Sequence, residues 1–304
     1  MKPITILFFT IIFSFFITSC NKIDLTASYI SVEPTVMHMD VSQYNNEHST
    51  NYDVSELATM TSQKFSDVWV YVDGTSLGTW ELPCKIPILS TGNTRITLYP
   101  GVKMNGVSTT RPRYPFVDGV TKILDLEGGK VLSIDDLTFK YSTATKFEWI
   151  ENFTRDYNSV FSASSNNGIN FEHITDPDDY SNRIGMLSLE DSVTEFEVVS
   201  NNMTFGNQLP SSVFLEMDYR CDIEEGEISV SMLIDKSTTS VTTTEPLVIV
   251  NAGTEWKKIY INLTQSITRN STYAIGYRVQ LAGGRDENSN PVHFYFDNMK
   301  VIYQ

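Results

Sequence analysis

Cysteine is scarce. Only Cys20, Cys84 and Cys221 occur in 304 residues, too few and too widely spaced for a disulfide framework. Positive charge is short as well: 22 lysines and arginines face 37 aspartates and glutamates, and the net charge of −15 excludes an electrostatic grip on nucleic acid or anionic headgroups. The four histidines, His38, His48, His173 and His293, are scattered and make no His-Glu-x-x-His spacing. There is no Gly-x-Ser-x-Gly elbow and no glycine loop for phosphate, so the main hydrolase and nucleotide motifs are missing. No internal repeat, long low-complexity tract or amphipathic helix of more than a couple of turns breaks the pattern. The apolar run from Ile4 to Ile17 falls short of the roughly 20 residues that a membrane-crossing helix needs.

What is present begins with that run. It follows Lys2 and ends at Ile17, Thr18, Ser19 and Cys20: a branched aliphatic, two small residues and a thiol. The arrangement resembles a bacterial lipoprotein signal. The resemblance implies that residues 1–19 are removed and that Cys20 takes up fatty-acyl chains of the palmitate type, whereas a simple secretory signal would leave Cys20 a chance residue. Several acyl chains on one residue supply the two membrane signals that stable anchoring requires. Loss of Lys2 from a chain of charge −15 leaves −16, so the lipid alone would hold the acidic body at the membrane. Asn21 after the lipidated cysteine implies the outer membrane, while the lone Asp24 leaves the cell-surface and periplasmic faces both open. Residues 20–28 then form a short lipidated tether.

The rest alternates with a period of two, which predicts an all-β chain. In "SDVWVYVDGTSLG", Val68, Val70 and Val72 take one face and Trp69 and Tyr71 the other, before an Asp73-Gly74 hairpin turn. "LPCKIPILSTGNTRITLYPGV" adds prolines at strand ends, a turn at Gly92-Asn93, and inward Ile96 and Leu98. Residues 29–145 therefore read as a small β-sandwich, and the stretch from Val68 to Val102 resembles immunoglobulin-like spacer modules of bacterial envelopes. In residues 146–304 the strands change spacing. "SSVFLEMDYRCD" points Val213, Leu215, Met217 and Tyr219 inward and Phe214, Glu216, Asp218 and Arg220 outward. "GEISVSMLID" repeats the design with Ile228, Val230, Met232 and Ile234, and "TYAIGYRVQLAGG" places Tyr273, Ile275, Tyr277, Val279 and Leu281 on one side. So many strands in about 160 residues predict a C-terminal jelly-roll sandwich. Cys84 and Cys221 read as small apolar residues within strands.

"WKKIYINL" over 256–263, followed by the closing "FYFDNMKVIY", resembles carbohydrate-binding-module jelly rolls of the galactose-binding-like kind. The whole chain resembles Bacteroides-type lipoproteins that join a small N-terminal sandwich to such a module. That resemblance implies glycan binding and a structural calcium between the first and last strands. Thr154 stands where a charged ligand belongs, so Glu151 with Asp297 is the remaining calcium pair, and the alternative is that Asp297 organises a β-bulge. A glycan site of this kind stacks aromatic rings on sugars and grips hydroxyls with polar side chains. Tyr157, Tyr180 and Tyr295 are the expected outward rings, with Arg278 and Gln280 as hydrogen-bonding neighbours. "ITDPDDYSN" starts like a calcium loop but lacks its glycine and reads as a proline turn. Asp191-Ser192-Val193 resembles an O-glycan acceptor, with Ser192 as the modified residue.

"EMDYR" resembles the Glu-x-Asp strand of laminarinase-like glycosidases, but Arg220 and Cys221 replace the second glutamate, and without it the leaving group has no general acid. No catalytic residue is expected. Two functions remain: an envelope lipoprotein that binds polysaccharide through its jelly roll, or a structural or adhesive envelope protein that contacts other proteins and has no sugar site.

Overall fold

The computed structural model describes residues 26–34, 36–37, 39, 41–135, 137–155, 159–164, 168–190, 192–205, 208–236, 241–287 and 289–304. Cys20, Tyr157 and Asp191 lie outside them. The described chain is all-β, built as sandwiches.

The N-terminal unit opens with β1 (Ser28–Val32), the middle strand of a three-stranded sheet, antiparallel to β5 (Cys84–Ile88) and parallel to β8 (Val131–Ile134). Facing it are β3 (Asp67–Val72), β4 (Thr75–Glu81), β6 (Gly92–Gly101) and β7 (Val120–Leu126) in the order β4-β3-β6-β7. A short parallel pair, β2 (Val36–Met37) and β9 (Thr138–Phe139), and the helices α1 (Val41–His48) and α2 (Val54–Thr61) complete the unit. Alternation works as the sequence predicts: Ile30, Val32, Val68, Val70, Ile86, Ile88, Ile96 and Leu98 all point into one core. The Asp73-Gly74 turn has positive φ at both residues, 48° and 86°, as the mirror-image hairpin turn requires. Gly92 and Asn93 differ from expectation, because they already pair with Leu126 and Asp125 as the first residues of β6 instead of forming a free turn.

The C-terminal unit is a two-sheet sandwich. One sheet holds β12 (Glu172–Thr175), β13 (Arg183–Leu189), β20 (Val292–Tyr303), β15 (Val213–Cys221) and β18 (Lys257–Asn262) in that order, with β10 (Lys146–Glu151) also paired to β20. The other runs β11 (Phe161–Ala163), β14 (Glu195–Ser200), β19 (Ala274–Gly284), β16 (Gly226–Lys236) and β17 (Thr242–Ala252). A helix of about two turns, α3 (Thr264–Asn270), follows β18. Val213, Leu215, Met217 and Tyr219 meet Ile228, Val230, Met232 and Ile234 between the sheets. Tyr273 and Ile275 do not join them. A register irregularity opposite Asp235 and Lys236 reverses the phase of β19 at its start, leaving both side chains 61% exposed while Tyr277, Val279 and Leu281 stay inside. β20 has a comparable irregularity at Asp297-Asn298, where Asn298 adopts φ 49°. Phe294 and Phe296 face the core before it, Met299 and Val301 after it, so one extra residue keeps a twelve-residue strand buried along its length.

The two units share a core. Phe147, Phe214, Tyr260 and Ile302, on the outer face of the six-stranded sheet, pack with Phe65, Tyr114 and Phe116 of the N-terminal unit. Within this interface Lys300 and Glu216 form an ion pair at 3.0 Å, exposed by 0% and 1%. Lys300 Nζ also donates to the carbonyls of Thr59 and Ser62 at 2.9 Å each, at the end of α2, and the Tyr114 hydroxyl donates to Glu216. Each charge is therefore satisfied by groups from both units, which is what makes burial of such a pair tolerable. Phe214 and Glu216 do leave the far side of β15 as the alternation requires, but that side is covered by protein instead of water.

Candidate functional site

Where the cover ends, the outer face of the same sheet carries a cluster of rings. Arg220, near the end of β15, pairs across the ladder with Tyr295 of β20. Its Cζ lies 4.7 Å from the Tyr295 ring centroid and 5.0 Å from that of Trp256, which precedes β18. Two carboxylates of the β12–β13 turn fix the guanidinium, Asp178 at 2.7 Å and Asp176 at 3.3 Å. Asp176 is 4% exposed and has donors of its own, the Asp178 N–H and Arg220, so the turn is tied down onto the sheet. Tyr180, 86% exposed, stands on this turn. On the other side His293 meets Asp222 at 2.6 Å and Glu190 at 3.4 Å. Burial alone would lower the His293 pKa, but these two carboxylates outweigh it and raise the pKa above its ordinary value. Burial also raises the Tyr295 phenol, which is thus a neutral donor at physiological pH.

The structure brings Tyr295 and the turn that carries Tyr180 to one site, through Arg220. It does not bring Arg278 and Gln280 there. Both sit on β19, in the opposite sheet, and Arg278 grips Asp235 with two nitrogens at 2.9 and 2.7 Å. The period-two pattern assigns a face within a strand but not the sheet that the strand joins, so these two residues and the tyrosines could not be sorted from sequence. Trp256 and Arg220, which are outside the expected set of ligand residues, complete the cluster. The signal for them is a tryptophan placed just before a strand that pairs with "EMDYR". Ser192 is exposed in the turn before β14.

The expected calcium pair does not fit a cation as arranged. Glu151 accepts from the Phe153 and Val160 N–H groups at 2.9 and 2.6 Å and from the Ser159 hydroxyl at 2.9 Å, so donors point at both of its oxygens. Asp297 accepts from Asn182 at 2.9 Å and from the Asn298 N–H at 2.7 Å, and so organises the bulge. Among the described residues no group of three or more His, Cys, Asp and Glu side chains gathers to hold a metal ion. Glu216 and Asp218, the glycosidase-like pair, are engaged too: Glu216 is buried as described, and Asp218 is bound by Lys258 at 3.1 Å and Asn298 at 2.9 Å. Burial pushes the Cys84 and Cys221 thiols up to about 11, far from a reactive thiolate.

A cleft of about 850 Å³ opens over the Gly283-Gly284 end of the second sheet. Glu195, Glu197, Glu225 and Glu227 line it, and its one ring, Phe196, belongs to the core at 1% exposure. It offers acceptors for hydroxyls but no ring to stack on. The aromatic cluster on the first sheet offers both.

Fold and site thus define two β-sandwiches of one chain packed through a shared core, with an aromatic, carboxylate-rimmed patch. No protein-family profile matches the chain. No curated protein matches it either. Among solved structures it is similar to the CBM22-1 and GH10 modules of Clostridium thermocellum endo-1,4-β-D-xylanase 10B complexed with xylohexaose, at 11% identity over 51% of this chain and 28% of that one, with a TM-score of 0.38. It is also similar to the CBM22-1 xylan-binding domain of a Paenibacillus barcinonensis protein, at 7% identity over 53% of this chain and 96% of that one, TM-score 0.38. A third is the family 30 carbohydrate-binding module of a cellulosomal cellulase of Clostridium thermocellum, at 17% identity over 50% and 96%, TM-score 0.35. Likeness at this level assigns neither a family nor a ligand to the chain.

Proposed function

We propose that the chain is a non-catalytic envelope lipoprotein that binds glycan at the Trp256, Arg220 and Tyr295 cluster. The observation that carries this reading is a guanidinium held between two aromatic rings by Asp176 and Asp178 of the turn that also carries the exposed Tyr180. Rings held in place give a sugar an apolar surface without losing side-chain freedom on binding, and the surrounding carboxylates accept from its hydroxyls. Titration of residues 20–304 carrying Cys20→Ser with neutral oligosaccharides tests it. Trp256→Ala is expected to weaken binding by about ten-fold or more, in line with loss of a ring contact of about 1.4 kcal/mol.

The envelope location rests on Cys20. Labelling with a palmitate analogue is expected to mark the chain and to lose the mark in Cys20→Ser, and an unmarked chain released into the medium would remove the anchor from the proposal. The second reading, an adhesive or structural protein, draws on apolar side chains at the edge strands of the N-terminal unit: Ile123 of β7 is 73% exposed, and Val131 and Leu132 of β8 are 48% and 38% exposed. The ring cluster, with stacking surface and hydrogen-bonding groups at one place, favours the glycan reading.

A further inference from the structure

Side chains on the outer face of a sheet recur every second residue, about 6.8 Å apart along a strand. On β15 they are Phe214, Glu216, Asp218 and Arg220, and the structure grades them from closed to open. Phe214 lies in the core shared with the N-terminal unit. Glu216, beside Lys300, lies beneath Tyr114 and the carbonyls of Thr59 and Ser62. Asp218 and its neighbour Lys258 meet the Ser62 hydroxyl at 3.3 and 3.2 Å, and the Lys64 N–H next to it donates to the Tyr260 hydroxyl at 2.8 Å. At Arg220 the cover stops. The β12–β13 turn closes the same level from the other side, because Asn182 is bonded to Asp297 and Asp178 reaches across β20 to Arg220. A ligand on the rings therefore meets protein one two-residue step up the strands. The side away from that cover lies toward Asp222 and His293, where β15 ends and β20 begins.

We propose that the site accepts the end of a glycan chain and not its interior, with the segment around Ser62 of the N-terminal unit acting as the stop. The charge around the rings adds that the glycan is uncharged: Asp176, Asp178, Glu190 and Asp222 outnumber their partners Arg220 and His293, and Asp178 and Glu190 remain 67% and 61% exposed, so a uronate or sulfate would meet net negative charge. This inference rests on the glycan-binding reading and gives the N-terminal unit a part in recognition.

The test is calorimetry on residues 20–304 carrying Cys20→Ser, with gluco-, xylo- and manno-oligosaccharides from monosaccharide to hexasaccharide and with the parent polysaccharides. The expected result is an affinity that levels off by the disaccharide and changes less than about two-fold up to the hexasaccharide. Polysaccharide is expected to bind one protein per chain end, and acidic counterparts to bind at least about ten-fold more weakly. Affinity that climbs about ten-fold from disaccharide to hexasaccharide, or many proteins bound along each polymer, overturns the chain-end inference and leaves the glycan reading standing. No binding to any of these saccharides overturns both.

Discussion

Asp297 is an acid in an expensive place. Burial raises its pKa from 3.8 to about 6, more than its bonds from Asn182 and Asn298 can offset. The folded chain thus holds the proton more tightly than the unfolded chain does. Its contribution to stability is complete below the unfolded pKa and is lost as pH rises from about 4 through 6, by up to about 3 kcal/mol. Asp297→Asn keeps one acceptor oxygen, sets an amide NH2 against the other donor, and removes the titration. Urea unfolding between pH 3.5 and 6.5 should show a fall with pH in the parent chain that is flatter in the variant; parallel curves would refute the assignment. From sequence, Asp297 could be read as a metal ligand or as a bulge former, since a carboxylate serves either. What decides is the donors around it, and Asn182 lies 115 residues away.

At the scale of elements, α2 was hidden by its length. Eight residues with the apolar positions of Leu57, Met60 and neighbours give too little period to stand out in a chain of strands. Its signature is local: Asp53 accepts from the Glu56 N–H at 2.9 Å, and Glu56 returns a bond to the Asp53 N–H at 2.8 Å. Arg155 then binds Glu56 at 2.6 Å and ties the helix to the jelly roll. Asp53→Ala is expected to cost about 1 kcal/mol, within the range for lost N-caps, and Asp53→Asn much less, by chemical denaturation. The strands were legible for the opposite reason. Ile228, Val230, Met232 and Ile234 face one core at period two, so each residue repeats the same statement. The pattern failed where a ladder slips, at Tyr273 and Ile275, because a slip follows from the partner strand and leaves no mark in the strand itself.

In the whole molecule, the all-β sandwich class was legible but the way the sheets meet was not. Phe214 and Ile302 alternate with Glu216 and Lys300, which reads from sequence as a mixed, solvated face. All four are buried. Burial pulls Lys300 down to about 8 against the opposing pull of Glu216. A lysine whose folded pKa lies below its unfolded one opposes folding while charged, so this group's effect on stability becomes more favourable as pH climbs from about 8 toward 10.5. Lys300→Met strands Glu216 in the interface and should cost about 3–5 kcal/mol, whereas Glu216→Gln with Lys300→Met should recover most of it, because Tyr114 still finds an acceptor. Both units should melt together in one transition in every case, and two separate transitions would show that the shared core does not couple them.

The place of β1 has a mechanical side. Ser28–Val32 is hydrogen-bonded on both flanks, to β5 and to β8, directly after the segment that would lead to the lipid. A tug from the membrane would run along this strand and load its bonds to both neighbours in shear, all at once, where an edge hairpin would peel open one bond at a time. With the proposed anchor in place, any pull through it would thus load the middle strand of its sheet and not an edge.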